Sequence, residues 1–322
     1  MRISRTSNEG RTWLNGRLLA LLAGLLALGL FAAACEADDV DEPVDEEPVD
    51  EEPVDEEPAP EGTITLGWIP WEENIANTNL WAEILEEEGY DVELTQVDVA
   101  PVFAGVAGGD LDLFLDVWLD DTHAPYWDEF SEQFVDMGVW YEPATLELTV
   151  PAYVDEVDTL EDLAENPDLF DGQITGIESG AGMMALLRDS VMPEYGLDEE
   201  FELLESSTSA MRAELERAYE AEEPIVVTLW TPHPEYGLKD LKRLEDPAGA
   251  WGTPERLHAI AREGFEDDFP QVAEWIRDFE MTEEQLAELN AAVEEAGDGE
   301  ERDAAREWIE DNRDVVDGWL GR

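Results

Sequence analysis

From Thr63 onward, short apolar runs alternate with stretches in which apolar residues recur every three or four positions. The first pattern suits buried strands and the second amphipathic helices. Thr63–Trp68 (TITLGW) predicts a strand and Asn79–Glu88 (NLWAEILEEE) a helix. Tyr90–Val97 alternates like a half-buried strand, Val102–Ala107 begins another helix, and Leu111–Trp118 (LDLFLDVW) is a further strand. The order then repeats: a strand over Glu147–Tyr153, a helix from Leu160, a strand over Ile174–Ile177, a helix from Ala181, a strand over Phe201–Leu204, a helix from Ala210 and a strand over Ile225–Trp230. The C-terminal quarter reads as mostly helical, over Pro254–Arg262, Val272–Phe279, Glu283–Ala296 and Arg302–Asn312.

Strand–helix alternation predicts an α/β architecture with mainly parallel sheets. Each half runs strand, helix, strand, helix, strand, and the third strand of each ends in Trp. Two similar lobes are therefore expected. The passages between them fall near Leu148–Tyr153 and Thr231–Lys239, both marked by Pro. Residues 63–148 and 237–322 would form lobe 1, and residues 149–236 lobe 2. Inserting one lobe into the other gives two crossovers, the wiring of a hinged binding protein.

The N-terminus changes the picture. Residues 1–34 carry Arg2, Arg5, Arg11 and Arg17, then an apolar run from Leu18 to Ala34. A basic segment, a short apolar segment and small residues before a cleavage point make a secretory signal. The run is slightly short for a membrane span. It leads directly into Cys35, the sole cysteine, and Ala32-Ala33-Ala34-Cys35 is similar to a bacterial lipobox, with Ala32 where Leu is usual. Cys35 is the expected lipidation site, and firm membrane retention would take two or more acyl chains. A lone Cys excludes an intrachain disulfide and any CxxC site. Residues 35–62 continue as a repeated Asp-Glu-Glu-Pro-Val pentad, whose prolines and like charges predict an extended tether.

Net charge is −66, and −54 remains on residues 63–322, where Lys239 and Lys242 are the only lysines. Nucleic acid is excluded as a partner, since phosphate binding needs clustered Lys and Arg. So acidic a domain repels itself at low salt. A Debye length of about 3 Å at 1 M salt would screen that repulsion, which predicts a high-salt habitat.

Twelve Trp stand against seven Tyr and ten Phe. Trp81, Trp275 and Trp308 fall at helical positions and are assigned to the core. Trp71, Trp118 and Trp230 instead fall at strand ends, where open α/β sheets place their ligands. A quaternary ammonium offers diffuse charge and methyl surface but no N–H, which suits the negative face of an indole. Three rings at roughly 0.5–2 kcal/mol each supply a sizeable share of the roughly 8 kcal/mol behind micromolar affinity. Nearby, His123 can donate to a carboxylate. The glycine turn Gly180-Ala181-Gly182-Met183-Met184 opens a helix whose free N–H groups suit an anion. Cation cage plus anion turn describes a zwitterion such as a betaine.

Other readings fit less well. The same turn matches G-x-G-x-x-G/A with Glu202 about twenty residues on, but an exported chain meets little dinucleotide. Ser179 is no nucleophile elbow, because Ile177 stands where glycine is needed. The acid-rich Leu111–Asp121 stretch lacks an EF-hand's spacing, and three scattered His make no zinc site. His233 and His258 are expected to be structural. No catalytic residue, metal or cofactor is expected.

Five segments together, GWIPWEENIANTNLW, the run from Asp91 to His123, GIESGAGMM, EEPIVVTLWTPH and LEDP…IAREGFEDDFP, closely resemble the glycine betaine/proline betaine substrate-binding proteins of ABC importers. The likeness runs from about Thr63 to the C-terminus. It implies two α/β lobes of the periplasmic-binding-protein type, closing on the ligand like a flytrap. By motif, Trp71, Trp118 and Trp230 would form the prism around the trimethylammonium group. His123 and the amides of Gly182 and Met183 would hold the carboxylate. Pro234 departs from the family, which often has an aromatic after the histidine. The implied partners are glycine betaine or proline betaine, an ABC permease and, through Cys35, the extracytoplasmic face of the cell membrane. Capture of an osmoprotective solute is the implied role. The rival class is an exported enzyme acting on a choline-like zwitterion, for which no activated nucleophile, base or metal site is read.

Overall fold

The computed structural model describes residues 62–322. The expected signal segment, Cys35 and the acidic tether, apart from Gly62, lie outside the described residues. The first lobe opens with β1 (Thr63–Trp68), α1 (Glu72–Glu87), β2 (Asp91–Gln96), α2 (Val99–Gly108), β3 (Leu113–Leu119) and α3 (Ala124–Phe130). Next comes β4 (Phe134–Pro151), an 18-residue strand shared by both lobes. The second lobe holds α4 (Leu160–Glu165), β5 (Gln173–Thr175), α5 (Gly182–Leu186), α6 (Met192–Tyr195), α7 (Leu197–Glu200), β6 (Glu202–Leu204), α8 (Thr208–Ala221), β7 (Val227–Thr231), α9 (Glu235–Leu238) and β8 (Leu241–Arg243). The chain returns through β9 (Glu255–Arg262) to α10 (Phe265–Asp268), α11 (Pro270–Asp278), α12 (Glu283–Ala296), α13 (Glu301–Asp311) and α14 (Arg313–Trp319).

Strands follow the order β2-β1-β3-β9-β4-β7-β5-β6, with β8 also on β4. The parallel order expected from strand–helix alternation holds for β2-β1-β3 and for β6-β5-β7. Antiparallel pairing enters wherever β4 and β9 take part, so each lobe's sheet is mixed. Pairing along β4 passes from the first sheet at Ala144 to the second at Thr145. The return lies between Arg243, paired in the second sheet, and Glu255, paired in the first. The first passage lies four residues before the expected limit at 148/149, and the return begins seven residues after the expected limit at 236/237.

One element is corrected outright. Pro254–Arg262 reads as a helix, yet Glu255–Arg262 is β9, antiparallel to both β3 and β4. Leu257, Ile260 and Ala261 have helical spacing, but six of its eight residues are buried. Two flanking strands supply partners for both backbone edges, and that tertiary setting overrides local preference.

Helix α1 extends to Glu72, well before the apolar start at Asn79, because its first turns are buried through polar contacts. The Ile69 N–H donates to Asn74 Oδ1 (2.7 Å), and Asn77 Nδ2 donates to the Leu115 carbonyl (3.1 Å). These bonds tie the α1 N-terminus to β3, and so fix Trp71 relative to Trp118. Trp81, Trp275 and Trp308 are buried, Trp81 against Phe279 and Trp319. Among the described residues no helix is long and apolar enough to cross a membrane.

Candidate functional site

Trp71, Trp118 and Trp230 line one cavity of about 20 Å³, together with Glu73, Thr122, Leu146, Ile177 and Met183. Each indole is at most 4% exposed. Trp71 ends the turn after β1 and precedes α1, Trp118 is the penultimate residue of β3, and Trp230 is the penultimate residue of β7. The first two belong to one lobe and the third to the other, so the cavity is interlobar. Trp71 and Trp230 have ring centroids 6.2 Å apart at 56°, an angled pair of π faces.

His123 stacks on Trp71, with centroids 5.8 Å apart and planes 15° from parallel, and neither it nor Gly182 is among the residues lining the cavity. Its Nδ1 accepts the backbone N–H of Trp118 (2.9 Å), which places the ring proton on Nε2. Nε2 is buried without a protein partner among the described residues. Burial pulls the imidazole pKa down to about 3, so the ring is a neutral donor. The loop carrying it is held by Glu255, whose carboxylate accepts the N–H of Asp121 (3.0 Å), the N–H of Thr122 (2.9 Å) and the Thr122 hydroxyl.

Gly182 and Met183 open α5. As first residues of a helix, their N–H groups have no intrahelical acceptor. Gly182 lies against the neighbouring lobe: a Cβ built on it would stand 2.1 Å from the Thr122 carbonyl oxygen. The anion-type turn and His123 therefore meet at a shared backbone contact, which only glycine permits.

Three acids escaped the sequence reading. Glu73 lines the cavity, is fully buried, and accepts the Trp230 indole N–H (2.7 Å). Asp116, buried on β3 two residues before Trp118, stands close enough to repel it. Burial first, and then this repulsion, raise the Glu73 carboxyl well above its ordinary range; burial does the same for Asp116. The pair therefore retains a proton where isolated carboxyls have lost theirs. A third acid, Glu178, sits in the glycine turn and accepts the Trp71 indole N–H (2.5 Å). The one available signal was position: Glu73 follows Trp71 by two residues, Asp116 precedes Trp118 by two, and Glu178 begins the glycine turn.

Beside the cavity, Arg212 of α8 reaches Glu72 (3.0 Å) and Glu294 (2.6 Å) of the first lobe, and Glu235 (2.8 Å) of its own. Burial pushes the Glu72 carboxyl up, but His233 and Arg212 more than offset it and hold it below the ordinary range. His233 stands edge-on to Trp230 (4.6 Å) with Nε2 3.1 Å from Glu72, so it braces the cage wall from behind. His258 lies apart, against Asp136. Pro234 precedes α9 and lines a separate cleft with Tyr236 and Leu238.

Residues 62–311 match the OpuAC family, described as the substrate-binding domain of ABC-type glycine betaine transport systems. A stretch of 146 residues, 45% of this chain, is 38% identical to the glycine betaine/carnitine transport binding protein GbuC of Listeria monocytogenes and spans 48% of that relative. Lactococcal OpuAC, crystallised closed with glycine betaine, superposes with a TM-score of 0.74 at 30% identity, over 80% of this chain and 99% of that one. ProX of Borrelia burgdorferi gives 0.74 at 28% identity, over 80% and 96%. An ABC-transporter choline-binding protein in complex with choline gives 0.72 at 25%, over 80% and 91%. The fold is the two-lobed binding-protein fold of these relatives, and the chain belongs to the family of substrate-binding domains of ABC-type glycine betaine transport systems.

Proposed function

We propose that this chain captures glycine betaine, or a related quaternary-ammonium solute, outside the cell and delivers it to an ABC permease. The observation that carries the reading is the convergence of three indoles from two lobes on one buried cavity that also holds a carboxyl group. A trimethylammonium group gains cation–π attraction from each ring face. The Glu73 and Asp116 pair adds negative potential behind the rings. His123 Nε2–H and the amides of Gly182 and Met183 would receive the solute's carboxylate. The cavity has room for little more than a water molecule, so the lobes must part to admit a solute and stand wider apart around it than they do here.

Isothermal calorimetry with glycine betaine tests the reading. Tight binding without turnover supports a transport receptor, while a product would favour the rival enzyme and no binding would remove both. A panel including proline betaine, carnitine and choline ranks the solutes.

The proton held by Glu73 and Asp116 gives a second expectation. A bound cation favours the ionised pair and lowers its pKa, so binding should release a proton. Affinity should then rise with pH through the interval above the ordinary carboxylate range, and level off once the pair is ionised. His123, neutral above its depressed pKa of about 3, contributes nothing in that window. Calorimetric enthalpies in buffers of different ionisation heat measure the proton. Proton uptake, or none, would contradict the assignment.

We further propose that residues 1–34 direct export, that Cys35 carries a lipid anchor, and that the acidic tether holds the domain off the membrane. With −54 on residues 63–322, screening should stabilise the fold. Melting temperature should climb between low and molar salt, and a flat response would remove the high-salt habitat from this account.

A further inference from the structure

Two of the cage indoles are each held by a carboxyl group from the opposite lobe. Trp71, in the first lobe, donates its Nε1–H to Glu178 Oε1 in the second (2.5 Å). Trp230, in the second, donates to Glu73 Oε2 in the first (2.7 Å). The exchange is reciprocal, and neither bond exists unless the lobes are together.

Glu178 is itself anchored within its lobe. Its other oxygen lies 3.2 Å from the Thr208 N–H and 3.1 Å from the Thr208 hydroxyl, both donating, at the start of α8. That helix also carries Arg212, which reaches across to Glu72 and Glu294. Trp71 is thus gripped at its N–H edge by a group fixed to the far side of the cleft. An indole has two side-chain torsions, and fixing its polar edge decides which way its π face turns.

From this arrangement we propose that Glu178 is a positioning residue that sets the Trp71 face only when the cleft is shut, so that a complete cage exists in the closed state alone. Such coupling makes the open form a weak binder and the closed form a strong one. A ligand that binds one state better shifts the population toward it. Glu73 performs the mirror task for Trp230. The inference rests on the solute-capture reading given above.

The test compares the full chain with Glu178→Ala and Glu178→Gln. Glycine betaine affinity is read by calorimetry, and closure by energy transfer between dyes placed on the two lobes. Glu178→Ala should lose about tenfold in affinity, with less closure at saturating solute. Glu178→Gln keeps an oxygen acceptor for the indole N–H and should recover most of the loss. A merely structural role would not be rescued in this way, nor would it change closure at saturation. Binding by Glu178→Ala within twofold of the parent, or a Gln variant no better than Ala, overturns the inference. Failure of the parent chain to bind betaine would instead overturn the functional reading, so the two outcomes are separable. Unchanged melting of both variants confirms that the comparison concerns folded protein.

Discussion

Replacing Trp118 with Ala should weaken glycine betaine binding at least thirtyfold while leaving a folded chain. One cage face is worth up to about 2 kcal/mol when desolvated, which corresponds to about thirtyfold, and the site is fully desolvated because Trp118 is 2% exposed. Truncation also widens the cavity, so the remaining rings lose contact with the methyl groups. Removing a buried aromatic costs about 3–5 kcal/mol of stability, against a usual total of about 5–15. The variant should therefore melt earlier without being unfolded at room temperature. Trp275→Ala is the control: Trp275 is buried on α11 against Tyr90, away from the cavity. It should show a similar loss of stability and unchanged affinity. Retained affinity in Trp118→Ala would take the central residue out of the site.

The ease of reading this fold depended on how its segments are buried. Strands β1, β3 and β7 have one boundary at a turn and an apolar run behind it, and the pattern places them to within a few residues. The first turns of α1 are different: Glu72, Glu73, Asn74, Asn77 and Thr78 are all buried but polar, stabilised by one another and by the Leu115 carbonyl. Hydrophobic periodicity is silent about such a face. Strand β9 misled in the opposite way, since Leu257, Ile260 and Ala261 mark one helical face just as well as they mark a strand buried on both sides. Recovering β9 required knowing that β3 and β4 flank it.

The site was more legible than the fold around it. A Trp at a strand's end is not enough by itself: Trp68 ends β1 and lies outside the cavity, and it is Trp71, three residues on, that joins Trp118 and Trp230 in lining it. The acids behind them were hidden by abundance. With 83 Asp and Glu in the chain, position beside a cage Trp or in the glycine turn is too common a signal to single out Glu73, Asp116 and Glu178. Their distinction lies in burial and in which indole they meet, and both are tertiary facts.

Gly182→Ala should be as damaging to binding as the loss of a cage ring, through closure alone. The added Cβ would lie 2.1 Å from the Thr122 carbonyl oxygen and 2.9 Å from its carbon. That neighbour is backbone, pinned by Glu255 through the Thr122 N–H, so it cannot step aside cheaply. The second lobe must retreat instead, and with it go the Trp71–Glu178 bond and the amides presented beside His123. Overpacking of this kind costs about 1–3 kcal/mol, or about five- to 150-fold in affinity. Because the strain exists only when the lobes meet, thermal stability should change little and the open form should be favoured. Gly180→Ala supplies the internal control, two residues away on the same turn, where an added Cβ meets nothing within 4 Å. It should bind betaine like the parent chain. Equal effects from the two substitutions would mean that the turn, rather than the contact with Thr122, is what glycine serves here, whereas loss confined to position 182 ties the affinity to the meeting of the lobes.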